Sequence, residues 1–417
     1  MVTAHIPTLD GGAWKPISTI KTKRICKIAA ENDLPMISMV QSAGVSLPHQ
    51  FRVFHSGGEL FKDLAQRSGQ GTPTCSVVMG SSTAGGAYQP GMSDYTILVK
   101  NQAQVFLGGP PLVKMATGEI TDAESLGGAD MHSRESGLSD QLAMDEFEAI
   151  LKARQWILTI NRENHGSHRV PKLRHVLPPI YDSDELLGIV SADIKHPFDM
   201  QEVISRIVDD SRVELFKPLY GKNLNPVILS HEAHKGTQFI RLCNNSNTPI
   251  IFLHNVSGFM VGKKTEKEGL IKAGSLFVNA VSNSKVPHLS IVCGASYGAG
   301  NYAMCGRPYD PRFLFSWPNS RCSVMGPEQL TGVMEHIARE GAAKAGHEID
   351  EKALRVRSEG FRKRVEADGD VYYTSAHMLD DGIVDPRDTR NVLGMCLDIV
   401  YNVDVKGNPG FRGISRM

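Results

Sequence analysis

Two stretches of this chain, 73–113 and 287–330, run through the same succession of residue types. An internal repeat of that length restricts the fold to two similar halves. In the second stretch an apolar run, His288-Leu289-Ser290-Ile291-Val292-Cys293, enters Gly294-Ala295-Ser296-Tyr297-Gly298-Ala299-Gly300-Asn301-Tyr302. In the first, Cys75-Ser76-Val77-Val78-Met79 enters Gly80-Ser81-Ser82-Thr83-Ala84-Gly85-Gly86-Ala87-Tyr88. Each reads as a strand, a glycine-rich turn and a helix. A second strand-like run (95–99 and 313–317) then leads to Phe106-Leu107-Gly108-Gly109-Pro110 in one copy and Cys322-Ser323-Val324-Met325-Gly326-Pro327 in the other. Upstream, Leu34-Pro35-Met36-Ile37 matches Thr248-Pro249-Ile250-Ile251, each after a helical segment (19–30 and 237–245). This alternation predicts an α/β fold with largely parallel sheets.

At 417 residues each half is long enough to hold its own core. Lys plus Arg equals Asp plus Glu at 45 each, so no electrostatic argument favours nucleic acid or an anionic membrane. The seven cysteines are odd in number, scattered and free of any C-x-x-C pair. They argue against a zinc ribbon and suit a reduced compartment. No apolar run is long enough to cross a bilayer. The opening residues read as neither a secretory signal nor an Arg-rich transit peptide. A long helix is predicted over 139–161, a linker over 166–185 from its Gly and Pro, and solvated helices over 335–367.

A strand that ends in a glycine-rich turn and opens a helix leaves several backbone N–H groups unpaired. The helix dipole adds positive potential there, and glycine lets an oxygen approach closely. Such a turn can serve as an oxyanion hole, and two copies imply two anionic oxygens. The same residues admit other readings. Gly294-Ala295-Ser296-Tyr297-Gly298 fits a nucleophile elbow, with Asp368 or Asp370 and then His377 in hydrolase order. The first copy does not keep that pattern. Gly298-Ala299-Gly300-Asn301-Tyr302-Ala303 fits a dinucleotide fingerprint, but Ser320-Arg321-Cys322 stands where an acidic residue belongs. The glycines could also serve tight packing alone. His231 and His234, near Glu232, are too irregularly placed for a zinc motif, and His49, His132, His254 and His377 share no spacing, so no metal is expected. Proton transfer need not involve a protein base.

The residues 80–94, 106–114, 126–130, 255–262, 297–307, 316–319, 324–326 and 380–390 resemble the carboxyltransferase (beta) subunits of biotin-dependent acyl-CoA carboxylases. Methylcrotonoyl-CoA carboxylase is the nearest type and geranyl-CoA carboxylase the next. The resemblance implies a duplicated crotonase-like (ClpP/crotonase) ββα superhelix. It implies an N-terminal half over 1–165 on the acyl-CoA side, and a C-terminal half over 186–417 on the biotin side. It further implies a dimer of trimers, with each site between the N-half of one subunit and the C-half of another. A biotin-carboxylase/biotin-carrier alpha subunit, which alone uses ATP, delivers carboxybiotin. CO2 is released, the biotin ureido group takes a proton from the acyl-CoA, and the enolate attacks CO2. The cofactor does the base work. By motif position, Gly85 and Gly86 hold the thioester enolate oxygen, flanked by Ala84 and Ala87. Gly298, Ala299 and Gly300 hold the ureido oxygen, beside Tyr297. Phe106, Gly108, Gly109 and Pro110 line the acyl pocket, and Phe259 closes the biotin side. A Cβ at Gly86 is expected to crowd the oxyanion. The expected acceptor is 3-methylcrotonoyl-CoA or a related branched enoyl-CoA, in a mitochondrial matrix or, outside eukaryotes, the cytoplasm. A non-catalytic subunit of the same fold is the alternative.

Two departures from the family pattern stand out. Its N-terminal region, which helps hold the CoA adenine, has no counterpart, and a strand–turn–strand is missing before Pro226-Val227-Ile228. Open sheet edges and weak CoA affinity are the expected costs.

Overall fold

The computed structural model describes residues 1–69, 72–160, 176–194, 196–221 and 227–407. In the first half, β1 (Val2–Ala4), β2 (Met36–Ser42), β3 (Thr74–Thr83), β4 (Tyr95–Val99), β5 (Gln104–Phe106) and β6 (Gln141–Ala143) form one parallel sheet. Its order is β1-β2-β3-β4-β6, with β5 beside the far end of β3. In the second half come β7 (Val227–Ile228), β8 (Ile250–Val256), β9 (Gly258–Phe259), β10 (His288–Tyr297), β11 (Phe313–Ser316) and β12 (Arg321–Ser323). There β10 is central, flanked by β8 on one edge and by β11 and then β12 on the other, all parallel. The short β7 pairs β9.

The central strand pairs of the two halves correspond residue for residue. Met36 faces Thr74, and Ile250 faces His288, each 214 positions on. Both ladders break after the fifth pair, Val40–Val78 and His254–Val292, and resume at Ser42–Ser82 and Val256–Ser296. The residues inside the two irregularities are Gln41 and Asn255. A Cβ on Gly80 would lie 2.5 Å from the Gln41 side chain, and one on Gly294 would lie 2.5 Å from Asn255 Oδ1. Glycine in these strands makes room for an amide side chain from the neighbouring strand. Gly80 and Gly294 are therefore strand residues, and the turns begin four positions later than the sequence places them.

Both central strands are buried on both faces, as a parallel sheet sandwiched by helices requires. In the first half Val77, Ile97 and Val99 pack on Ala149, Ala153 and Trp156, while Val40, Val78, Leu98 and Val105 fill the other face. In the second, Ile250 and Phe252 pack on Ile240 and Phe277, and Leu289, Ile291 and Trp317 pack on Leu393 and Cys396. Trp317 is fully buried and donates from Nε1 to Thr389 Oγ1 at 2.9 Å. Thr389→Val keeps the shape but strands that donor, so urea denaturation is expected to show a loss of about 1–3 kcal/mol.

The helix expected over 139–161 is shorter than its sequence implies. Its first residues form β6 against β4, and Asp145 starts the helix Glu146–Thr159 by accepting from Glu148 N–H. Residues 161–175, with the first half of the expected linker, lie outside the described residues. The charge-rich 335–367 falls on two solvated helices, Pro327–Ala345 and Glu351–Asp368. No described helix is long and apolar enough to cross a membrane.

Segment 213–221 joins the halves. Lys217, in the left-handed region at φ 47°, is buried with its Nζ 2.9 Å from the buried Asp140 Oδ1 and donates to Gly137 O. From the second half, Lys235 Nζ donates to Lys217 O at 2.9 Å and Gly221 O at 3.2 Å. Burial among these groups lowers the Lys235 pKa to about 8.

The sheets differ at one edge. Ile37 N donates to Met1 O, and Met39 O accepts from His5 N, which seats β1 on β2. Ile250 N donates to Pro287 O as Met36 N does to Pro73 O, so the matching residues Ile251 and Leu253 turn their backbone outward. Among the described residues no strand pairs with that edge of β8. An apolar cavity of about 250 Å³ lies there, lined by Phe216, Phe239, Ile251 and Leu253.

Candidate active site

The two turns have one backbone path. Thr83 (φ −112°, ψ 147°) and Tyr297 (φ −113°, ψ 143°) end their strands. Ala84 follows at φ 53° and Gly298 at φ 54°, both in the left-handed region. An alanine held there is strained, and the surrounding strands must hold the turn in that geometry. Neither Thr83 nor Tyr297 caps its helix with a side chain. The first-turn N–H groups, Gly85 and Gly86 in one half and Gly298, Ala299 and Gly300 in the other, thus lack a capping partner. Oxygen acceptors, such as a thioester or ureido oxygen, suit donors of this kind.

The open sides are set by small residues. Ala84 and Ala299 are exposed, whereas Gly86 and Gly300 are buried. A Cβ on Gly86 would meet Ser82 Oγ at 3.3 Å and Ser42 Cβ at 3.4 Å, on the strand side of the turn. The expectation that it would crowd an oxyanion directly is therefore corrected: the obstruction acts by displacing the turn. Gly300 is tighter still, with Val256 Cγ2 at 3.0 Å and Gly258 Cα at 3.1 Å from its would-be Cβ. Ala87 and Tyr297 are buried at 7 % and 6 % exposure, so their side chains support the turns from beneath and do not line an open face.

Phe106 lies opposite Thr83 on β5, with its ring against Gly109 and Gly127. Gly108, Gly109 and Pro110 continue from it into the helix Pro110–Thr117. Phe259 on β9 packs over Gly274, beside Gly258 and hence beside the second turn. Each turn packs on its own sheet. The structure groups Ala84, Gly85, Gly86, Phe106 and 108–110 around one turn, and Gly298, Ala299, Gly300 and Phe259 around the other. Sequence reasoning missed Phe61, whose ring lies 3.6 Å from a Cβ on Gly85 and packs against Trp14 and Tyr88. Its helix, Gln50–Gly69, precedes β3 as Leu270–Asn283 precedes β10, but the residue 214 positions on is Ser275, so the repeat did not single Phe61 out.

The elbow serine is not formed. Ser296 lies within β10, fully buried, with its Oγ 2.9 Å from His254 Nδ1 and accepting from Asn301 Nδ2 at 2.8 Å. His377 instead contacts Tyr373 O through Nδ1, and Asp370 caps a helix by accepting from Tyr372 N–H. Among the described residues no group of three or more His, Cys, Asp or Glu could hold a metal ion.

Duplicated parallel sheets, each ending in a left-handed step and an uncapped turn, define the crotonase-like carboxyltransferase fold. The carboxyl transferase domain model matches residues 1–225 and 227–412. A probable biotin-dependent acyl-coenzyme A carboxylase beta2 subunit of Mycobacterium tuberculosis is 48 % identical, covering 100 % of this chain and 81 % of that protein. The mitochondrial methylcrotonoyl-CoA carboxylase beta chain of Dictyostelium discoideum is 41 % identical over 100 % of this chain and 74 % of its own length. Among solved structures, the transcarboxylase 12S hexamer with hydrolysed methylmalonyl-coenzyme A has a TM-score of 0.82 at 25 % identity, covering 95 % of this chain and 78 % of that one. The chain belongs to the carboxyl transferase domain family, as a carboxyltransferase subunit of the acyl-CoA carboxylase class.

Proposed function

We propose that this chain transfers a carboxyl group from carboxybiotin to 3-methylcrotonoyl-CoA or a closely related branched enoyl-CoA. The observation that carries the reading is the pair of matching turns, Ala84 at φ 53° and Gly298 at φ 54°, each followed by uncapped amides. The N–H groups of Gly85 and Gly86 hold the thioester oxygen as it gains charge. Those of Gly298, Ala299 and Gly300 hold the ureido oxygen. Donors fixed before the reaction need no reorganisation as charge develops, which is where such sites gain most of their rate. Biotin, when bound, supplies the carboxyl group and a basic ureido nitrogen. Phe106 and 108–110 shape the acyl side and Phe259 the biotin side. Residues 1–165 serve acyl-CoA and 186–417 serve biotin, joined through 166–185.

The relatives' names as biotin-dependent beta subunits support a partner alpha subunit, which by family resemblance carries the biotin-carboxylase and biotin-carrier parts and uses the ATP. The Dictyostelium name also supports a mitochondrial location in a eukaryote, read as the matrix by family resemblance. The hexamer named for the transcarboxylase supports a dimer of trimers. In such an assembly of this chain, the first turn of one subunit would face the second turn of another. The test is acyl-CoA-dependent consumption of radiolabelled carboxybiotin by the purified oligomer, with several acyl-CoA thioesters compared. The highest kcat/KM is expected on 3-methylcrotonoyl-CoA. A preference for propionyl-CoA would overturn the branched acceptor, and no turnover in a folded sample would favour a non-catalytic subunit.

A further inference from the structure

We propose that Asn301, Ser296 and His254 form a positioning relay that fixes the second turn, separately from the first, for its ureido-binding task. The inference rests on the assignment of that turn to biotin. All three residues are buried, Ser296 and His254 at 0 % exposure and Asn301 at 9 %. Asn301 directly follows Gly300. Its Nδ2 donates to Ser296 Oγ at 2.8 Å, and His254 Nδ1 lies 2.9 Å from the same oxygen. An amide nitrogen can only donate, so the serine proton is free to go to Nδ1 of a neutral histidine. Burial favours that neutral form and lowers the His254 pKa to about 4.

The asparagine has little freedom. Its main-chain carbonyl accepts from Gly306 N at 2.8 Å, and a Cβ on Gly306 would come within 1.9 Å of its side-chain Oδ1. A glycine at 306 is thus needed to leave the Asn301 amide in place. The relay ties the turn to two adjacent strands, β10 through Ser296 and β8 through His254.

The first half is built otherwise. Its corresponding residues are Ala87, Ser82 and Val40, and Ser82 Oγ donates straight to Gly86 O at 2.9 Å. There the residue four positions on is Pro90, which has no N–H to offer Gly86 O, and the first turn is a 3-10 helix, Ala84–Ala87, that passes into the short α-helix Tyr88–Met92. In the second half the serine faces the side chain of Asn301. Gly300 O is left to accept from Met304 N at 3.1 Å, and the turn runs on as the α-helix Gly298–Ala303. The serine at this position thus holds the main-chain carbonyl of the first turn but the Asn301 side chain of the second, so the two turns are anchored by different bonds.

The experiment uses the intact oligomer with Ser82→Ala, Ser296→Ala, Asn301→Ala and Asn301→Asp. Hydrogen exchange by mass spectrometry is followed over 82–90 and 296–304, and KM is measured for free biotin and for acyl-CoA. Losing one hydrogen bond should raise local exchange over 296–304 by ~10-fold in the Ser296 and Asn301 variants. The KM for free biotin should rise by a similar factor, while the acyl-CoA KM stays within about two-fold. Ser82→Ala should give the converse. Asn301→Asp keeps the volume but removes the donor, so it should match Asn301→Ala. Unchanged exchange over 296–304, or equal loosening of both turns, would overturn the relay. If the wild-type protein shows no biotin-dependent turnover, the functional assignment fails while exchange still judges the relay.

Discussion

Gly86→Val is expected to abolish carboxyl transfer without unfolding the chain. The Cβ alone would sit 3.3 Å from Ser82 Oγ and 3.4 Å from Ser42 Cβ. The two methyl groups of valine would press into β2 and β3, and the turn must lift to make space. Overpacking of this kind costs about 1–3 kcal/mol. Lifting the turn also breaks the Ser82 Oγ bond to Gly86 O and re-aims the Gly85 and Gly86 amides. Loss of one oxyanion donor lowers kcat by roughly 10²–10³-fold, and two donors move here. Steady-state kinetics at saturating acyl-CoA, beside a melting curve, checks the expectation. A folded variant with kcat within about tenfold of wild type would remove these amides from the reaction. Valine adds no charge or hydrogen-bonding group, so the effect tests main-chain geometry.

The largest loss of stability is expected from Lys217→Met. Lys217 and Asp140 are 0 % and 1 % exposed, and their charges lie 2.9 Å apart. Methionine fills similar volume but leaves Asp140 without its counter-charge. Removing one partner of a buried pair costs about 3–5 kcal/mol. Asp140 Oδ2 accepts from Thr96 N, so asparagine can keep that bond. The double variant Lys217→Met/Asp140→Asn should therefore recover most of the loss. Guanidinium denaturation of both variants measures this. If the single variant loses less than about 1 kcal/mol, the pair is not what holds segment 213–221 in place. The same segment receives Lys235 from the second half, so the loss should register in both halves.

Much of the duplicated plan was legible because two backbone paths that bend alike demand the same small residues at one spacing. Ala84 and Gly298, Gly86 and Gly300, Gly80 and Gly294 all keep it. The residues that fix how each turn is held were not legible. Ser296 and His254 stand 42 positions apart, and only the pairing of β8 with β10 brings them within 2.9 Å. Gly80 and Gly294 read as turn starters because glycine usually signals a turn. Here they clear a path for Gln41 and Asn255, which spacing cannot reveal. The three residues of β6 carry no period of their own and were absorbed into the following helix. Buried Ala87 and Tyr297 show the matching limit: a motif gives a residue's place in the chain, not the direction of its side chain.

The flank of β8, uncovered among the described residues, has a further result. A row of main-chain groups beside Phe239 and Ile251, at 40 % and 38 % exposure, is an adhesive seam that any extended polypeptide can join. Concentrating the protein raises the frequency of such encounters, so association through this seam is expected to grow with concentration.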